Sequence, residues 1–316
     1  MKRFLIVAIF FLCSEFYSLG QEKKSDSEDG YNKLETRYQY LKDSLSKTYQ
    51  FIPAVSSVIL ENGQFEIIYF SSILTANKFR NDNGNLDELN VRSTYFYNTL
   101  QLTYGFSKNQ KWNVGFDINS ISARIDDDRN SSIFKVFGSD EIGNSRYARA
   151  INSFGPRLRW NPFHRTNQLT LQSSILFPTS INVEKQRILG QNQIYFLTQL
   201  LYNKPLSERM FLFSQLGFQY GFKKEDVFAK FYPTLTSYIS YFLPKRTILF
   251  LLLNYTPIFV NDENWNYAAG TFQVGGGVQY QISKNFLINA YYSNNIAGSN
   301  YQDFDGYTVS LRFLTH

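Results

Sequence analysis

The sequence predicts an all-β protein: a closed antiparallel transmembrane β-barrel of about twelve strands with a short N-terminal helical segment. Three observations predict it. From residue 64 onward apolar and polar residues alternate with a period of two, and no helical period competes. The links between the alternating runs are alternately short and long. Phe (30) and Tyr (23) are abundant although mean hydropathy is negative, as expected where only every second residue meets lipid.

The chain opens with the basic Met1-Lys2-Arg3 and the compact apolar run Phe4 to Leu12, the form of a secretory signal peptide. Ser18 and Gly20 are small residues suited to cleavage after Gly20, and Glu15 interrupts a run already short of the roughly 20 residues of a spanning helix. Residues 1–20 are therefore expected to be removed after export. Cys13, the only cysteine, would leave with them, which excludes disulfides and thiolate metal sites. Leu12 stands where a lipoprotein needs a small residue, so lipidation is not expected.

Residues 21–60 form a polar N-terminal segment containing an amphipathic helix over about 31–49, with Leu34, Tyr38, Leu41 and Leu45 on one narrow stripe. Such a helix could stand in the periplasm, plug a lumen, dock a periplasmic or outer-membrane protein partner, or remain a loose extension. The barrel is expected over residues 61–316.

Strands are predicted at 64–76, 91–106, 112–124, 147–160, 168–177, 191–202, 209–221, 230–242, 247–259, 270–282, 286–297 and 306–314. Trp112 to Asn119 is the clearest, with every even position apolar and every odd one polar or glycine. The short links are Ser107–Lys111, Asn161–Asn167, Asn203–Glu208, Leu243–Arg246 and Ser283–Asn285. The longer ones are Asn77–Asn90, Ile125–Arg146, Pro178–Gly190, Phe222–Ala229, Val260–Ala269 and Gly298–Asp305. Outer-membrane barrels carry short periplasmic turns and longer external loops, and an even strand count returns the C-terminus to the periplasmic side. Trp112, Trp160, Phe163, Tyr202, Phe211, Tyr241, Tyr280 and Phe286 flank the short turns, where an aromatic girdle belongs. The last strand, Tyr307 to Phe313, resembles the signal read by the outer-membrane assembly machinery, with Leu314, Thr315 and His316 following the aromatic.

Chemistry-bearing residues are few. His164 falls in a short turn and His316 at the terminus, so neither can build a Ser-His nucleophile at the external rim, and no enzyme activity or catalytic residue is expected. The external carboxylates Asp126-Asp127-Asp128, Asp262-Glu263, Asp303 and Asp305 read as solvated loop charge; Asn81 to Asn85 lacks the ligands of a calcium loop, so no metal and no cofactor is expected. The net charge of +6 falls to +5 without Lys2, Arg3 and Glu15, with no run of like charge, so nucleic acid is not a partner. Lipid and lipopolysaccharide are.

Alternation points five charged side chains into the lumen: Glu66, Asp117, Arg157, Arg159 and Arg312. Two contacts are expected there, Glu66 with Arg312 and Asp117 with Arg157 or Arg159. These charges either neutralise one another and pack the interior, or form a slightly cationic constriction for anionic solutes.

The stretch Phe154-Gly155-Pro156-Arg157-Leu158-Arg159-Trp160-Asn161-Pro162-Phe163, followed by Gln172 to Thr179, resembles Gram-negative outer-membrane barrels of an uncharacterised, transporter-like type. The resemblance is structural and implies no substrate. Two functional readings follow: a narrow porin-like channel for small polar or anionic solutes in the cell outer membrane, or a non-conducting structural or assembly partner in an envelope complex. Passage of hydrophobic molecules would require a lateral opening or an apolar lumen path; Pro156 and Pro257 could mark strand irregularities, and edge or bulge positions explain them as well.

Overall fold

The computed structural model describes residues 59–138, 146–162, 169–179, 188–189, 193–224, 227–244 and 246–315. The chain divides into two compact units, Met1–Phe51 and Ile52–His316. The first, with the expected signal peptide and the 31–49 helix, lies outside the described residues, as do Phe163, His164 and His316.

The second unit is one antiparallel sheet: β1 (Phe65–Arg80), β2 (Leu86–Gly105), β3 (Trp112–Asp126), β4 (Arg146–Trp160), β5 (Leu169–Pro178), β6 (Tyr195–Pro205), β7 (Met210–Gly221), β8 (Ala229–Leu243), β9 (Thr247–Asn261), β10 (Trp265–Gln281), β11 (Phe286–Ser299), the two-residue β12 (Tyr301–Gln302) and β13 (Asp305–Leu314). Each long strand pairs with its sequence neighbours, and β1 pairs with both β2 and β13, which closes a barrel of twelve long strands. Closure leaves no free sheet edge. Thr315 N–H donates to Phe65 O at 2.9 Å, so the barrel begins and ends on the same rim.

Alternation separates the two faces. Val114 and Phe116 stand outward at 42% and 39% exposure, whereas Asn113 and Asp117, which flank them, are at 0% and 5%. The same outward exposure of large apolar residues recurs at Tyr69, Leu158, Phe177, Phe196, Phe218, Leu251, Val278 and Val309. An apolar band of this extent around a closed sheet is stable against lipid, not water. Stacked Trp112 and Trp160, 5.2 Å apart, edge the band at the short-turn rim; Tyr220, Phe231, Phe259, Trp265 and Tyr267 edge it at the other. Phe211 departs from the expected girdle, because its register opposite Ser240 turns it inward with Phe213.

Two expected long loops are tight turns. β1 and β2 continue their ladder through Arg80↔Leu86, leaving Asn81 to Asn85 as the turn, and β9 and β10 pair as far as Asn261↔Trp265. Above the apolar band a strand needs no greasy face, so hydropathy alternation loses the ladder where the hydrogen bonding does not. Asn81 holds its turn: its Oδ1 accepts the N–H groups of Asn83 and Asn85, each at 3.1 Å, and Gly84 takes the left-handed φ of 79°. The expected Gly298–Asp305 loop likewise contains β12, which pairs Tyr301 and Gln302 with Arg80 and Phe79 of β1.

The prolines do mark irregularities. The β4–β5 ladder skips Gly155-Pro156 against Ile175-Leu176, and the β8–β9 ladder skips the stretch holding Pro233 and Pro257. At the first gap the strands press together: a Cβ on Gly155 would lie 1.7 Å from the Ile175 carbonyl oxygen.

Candidate functional site in the barrel lumen

The five predicted residues lie on three adjacent inward rows near the short-turn rim. Register alone builds the central row, in which Glu66, Thr103, Gly115, Arg157 and Ser174 stand opposite one another across β1 to β5. Asp117 is one inward step above on β3, and Arg159 one below on β4. Arg312 of β13 shares its row with Ile68 and Asp117's partner Gln101.

Arg312 Nε donates to Glu66 Oε1 at 2.8 Å, and its Nη2 donates to the same oxygen. Arg157 Nη1 lies 2.8 Å from Asp117 Oδ1, while its Nη2 donates to Thr103 Oγ1 at 2.6 Å. Ser174 Oγ donates to Asp117 Oδ2 at 3.4 Å. The two arginines that the sequence left as alternatives therefore divide: Arg157 takes Asp117, and Arg159 reaches along the wall from β4 toward β1 to lie 3.9 Å from Glu66 Oε2. Arg159 Nε also donates to Gln172 Oε1 at 2.9 Å, and Gln172 passes the chain to Gln199 Oε1 at 2.6 Å.

Gly115 makes room for this. A Cβ there would lie 3.0 Å from Arg157 Nε, so the bare backbone lets the guanidinium lie along the wall. Exposure of the five is between 0% for Glu66 and 5% for Asp117. Three guanidinium groups, which stay charged at any ordinary pH, face two carboxylates and leave the cluster one positive charge in excess. Charges so far from water persist only because each has an ionic or hydrogen-bonding partner.

The opposite wall is aromatic. Inward Phe213, Tyr238, Phe250 and Tyr291 form a continuous arc over β7, β8, β9 and β11, with successive ring centroids 5.9, 5.7 and 5.9 Å apart, and the Tyr238 and Tyr291 side chains share a hydrogen bond. Nearer the other rim, Ile188 and Leu189 of the β5–β6 link pack on the inward-facing Ile121, Ala123 and Ala148 beside Tyr95 and Tyr97. Sequence reasoning missed the arc, Thr103 and the Gln172–Gln199 pair. All carry the inward parity, which was the available signal, and none was singled out because a ring fits either face of a barrel strand.

Of the carboxylates expected to be solvated, Asp127, Asp128, Asp262 and Glu263 are exposed, whereas three others are engaged. Asp126 is 2.9 Å from Arg124, Asp303 2.8 Å from Arg80, and Asp305 accepts a 2.9 Å hydrogen bond from Asn294. Such fixed pairs need no alternation signal, only hairpin geometry above the membrane. Among the described residues no group of three or more His, Cys, Asp or Glu is placed to hold a metal ion.

No protein-family model and no curated protein matches the sequence. Among solved structures, the COG4313 outer membrane channel from Pseudomonas putida F1 aligns with 84% of this chain and 100% of its own length, with a TM-score of 0.62 at 11% identity. The beta domain of the Bordetella autotransporter BrkA aligns with 80% of this chain and 99% of its own, with a TM-score of 0.50 at 12% identity. The likeness is one of fold: the chain folds as outer-membrane β-barrels do.

Proposed function

We propose that this barrel spans the outer membrane as a narrow channel for small polar solutes, with a preference for anions, its short turns in the periplasm and its longer links outside. The observation that carries the reading is the lumen cluster, in which Arg157, Arg159 and Arg312 outnumber Glu66 and Asp117 on one wall. A net positive ring element inside a low-dielectric wall lowers the barrier for anions and raises it for cations. Twelve strands lie between the side-chain-filled eight-strand barrel and the open sixteen-strand porin, which fits small solutes passing one at a time. The fold of the Pseudomonas putida channel, shared over nearly the whole barrel, supports the channel class. Delivery to the membrane would use the strand Tyr307 to Phe313 as the assembly signal, with lipid and lipopolysaccharide around the finished barrel.

A second reading, a non-conducting barrel serving a partner in an envelope complex, is favoured by one specific observation: Glu66, Arg157, Arg159 and Arg312 are all at 4% exposure or less, so the cluster in this state is shut off from water. Bilayer recording separates the two. Full-length protein under a salt gradient is expected to give a reversal potential of the sign set by anions, and Arg159→Gln, which brings the cluster to neutrality, is expected to move it toward zero. Cation preference would reject anion selectivity. Equal silence from the full-length chain and from a version lacking residues 21–60 would reject the channel and leave the partner reading.

A further inference from the structure

The described residues of the link that leaves β3, 127–138, fold back against the outer wall of β2 and β3, with the single turn of 3-10 helix Ile133–Phe137 laid on that wall and capped by Ser132, whose hydroxyl accepts the Phe134 N–H. Phe137 meets outward-facing Phe96 edge-on at 4.7 Å, and Val136 beneath is fully buried. Arginines hold the link down: Arg92 Nε donates to Arg129 O at 2.9 Å, its Nη1 donates to Thr75 Oγ1 at 3.2 Å, and Arg124 Nη1 donates to Lys135 O at 3.4 Å.

This arrangement presents apolar surface at the top of the lipid-facing band. Phe134 and Phe137, stacked at 6.4 Å, are 65% and 44% exposed. Two cations share that outer side. Arg149 lies in one cross-strand row with Phe96 and Ser122, Lys135 belongs to the helical turn itself, and both are exposed. The carboxylates of the same region are mostly engaged: Asp126 with Arg124, Glu88 with Arg129 at 2.5 Å, and Asp128 accepting the Asn130 N–H at 2.9 Å, with Asp127 exposed beside it. Arg92 makes its bonds to neutral acceptors.

We propose that this patch is a binding site for one phosphorylated lipid of the outer leaflet, of the lipid A type. Its acyl chains would run down the wall beside Phe134, Phe137 and Phe96, and a phosphate would sit between Lys135 and Arg149. A ring pair alone would accept any lipid, and a cation cluster alone any anion in solution. Their juxtaposition at the edge of the apolar band selects an amphiphile with an anionic head, because phosphate takes charge-assisted hydrogen bonds from Arg and Lys while the chains cover the rings. The proposal rests on the reading that this rim faces the outer leaflet.

The test uses full-length purified protein in detergent, read by native mass spectrometry with three probes: bisphosphorylated lipid A, chemically dephosphorylated lipid A, and phosphatidylethanolamine. Bisphosphorylated lipid A is expected to be retained at least tenfold more than either other lipid. K135Q/R149Q is expected to abolish that preference, and F134S/F137S to reduce retention of all three. Equal retention of the three lipids, or a preference unchanged in K135Q/R149Q, overturns the site. Should that variant lose the heat-modifiable gel migration of a folded barrel, R149Q alone, which leaves the helical turn intact, is read by the same criterion. The reversal potential of these variants is expected to equal that of the parent, so failure here and failure of the channel reading are seen separately.

Discussion

Glu66→Gln is expected to be among the most destabilising single polar changes in the barrel. The glutamine keeps the volume and one acceptor but removes the charge that faces Arg312 at 2.8 Å and Arg159 at 3.9 Å, all three groups being buried. Removing one partner of a buried ion pair costs about 3–5 kcal/mol, because the other charge is left without compensation. The check is the temperature at which the folded gel band converts to the unfolded one, which should fall well below that of the parent. The double variant E66Q/R312Q should cost less than the sum of E66Q and R312Q, by about 1–3 kcal/mol for groups in direct contact. Strict additivity would reject the pair as a coupled unit. The two variants also part company in selectivity. E66Q raises the excess charge of the cluster, whereas E66Q/R312Q removes one charge of each sign and should leave the reversal potential near that of the parent.

Gly155→Ala is expected to prevent assembly outright. The added carbon would stand 1.7 Å from the Ile175 carbonyl oxygen and 2.8 Å from its carbon, both backbone atoms of the neighbouring strand with no flexible end to swing away. Ordinary overpacking costs about 1–3 kcal/mol; here the strands themselves would have to part at a point where Pro156 already removes a ladder hydrogen bond. Refolding into detergent should yield no compact band. Gly276→Ala is the matched control in another strand: its nearest neighbour beyond the chain would be the Phe250 carbonyl oxygen at 3.5 Å, an ordinary contact, and folding should be unimpaired. If Gly155→Ala folds as well as Gly276→Ala, the close approach of β4 and β5 is wrong.

The strands that cross the apolar band were readable because lipid enforces their pattern. A residue at the wrong parity there would either expose charge to hydrocarbon or waste an apolar group in the interior, so Trp112 to Asn119 states its own orientation. The same logic located Glu66, Asp117, Arg157, Arg159 and Arg312 inside. It could not choose which arginine Asp117 takes, because that depends on a bare Cα at Gly115 in the neighbouring strand and on how far Arg159 reaches along the wall toward Glu66. Outside the band the pattern carries no information. The ladder continues past Asn77 and through Trp265, but a register shift at Ala76/Lys78 and another at Tyr267/Ala269 interrupt the period of two, and expecting loops there followed from hydropathy alone. The inward rings Phe213, Tyr238, Phe250 and Tyr291 were hidden for a related reason, since an aromatic residue satisfies both a lipid-facing and a lumen-facing position.

β12 and its neighbours set the order of events during construction. Every pairing but three joins strands adjacent in sequence, and one of the three, β11 with β13, skips only the two-residue β12; β1 must find β13 and β12 across more than two hundred residues, and the entropy of closing so long a loop places that encounter last. Once it happens, Arg80 meets Asp303 and the Asp303 N–H reaches Lys78 O at 2.9 Å, contacts that no partly built sheet can make. The external end of the seam therefore behaves as a clasp. Its formation reports that the cylinder is complete, and its strength resists the first strand peeling away from the last.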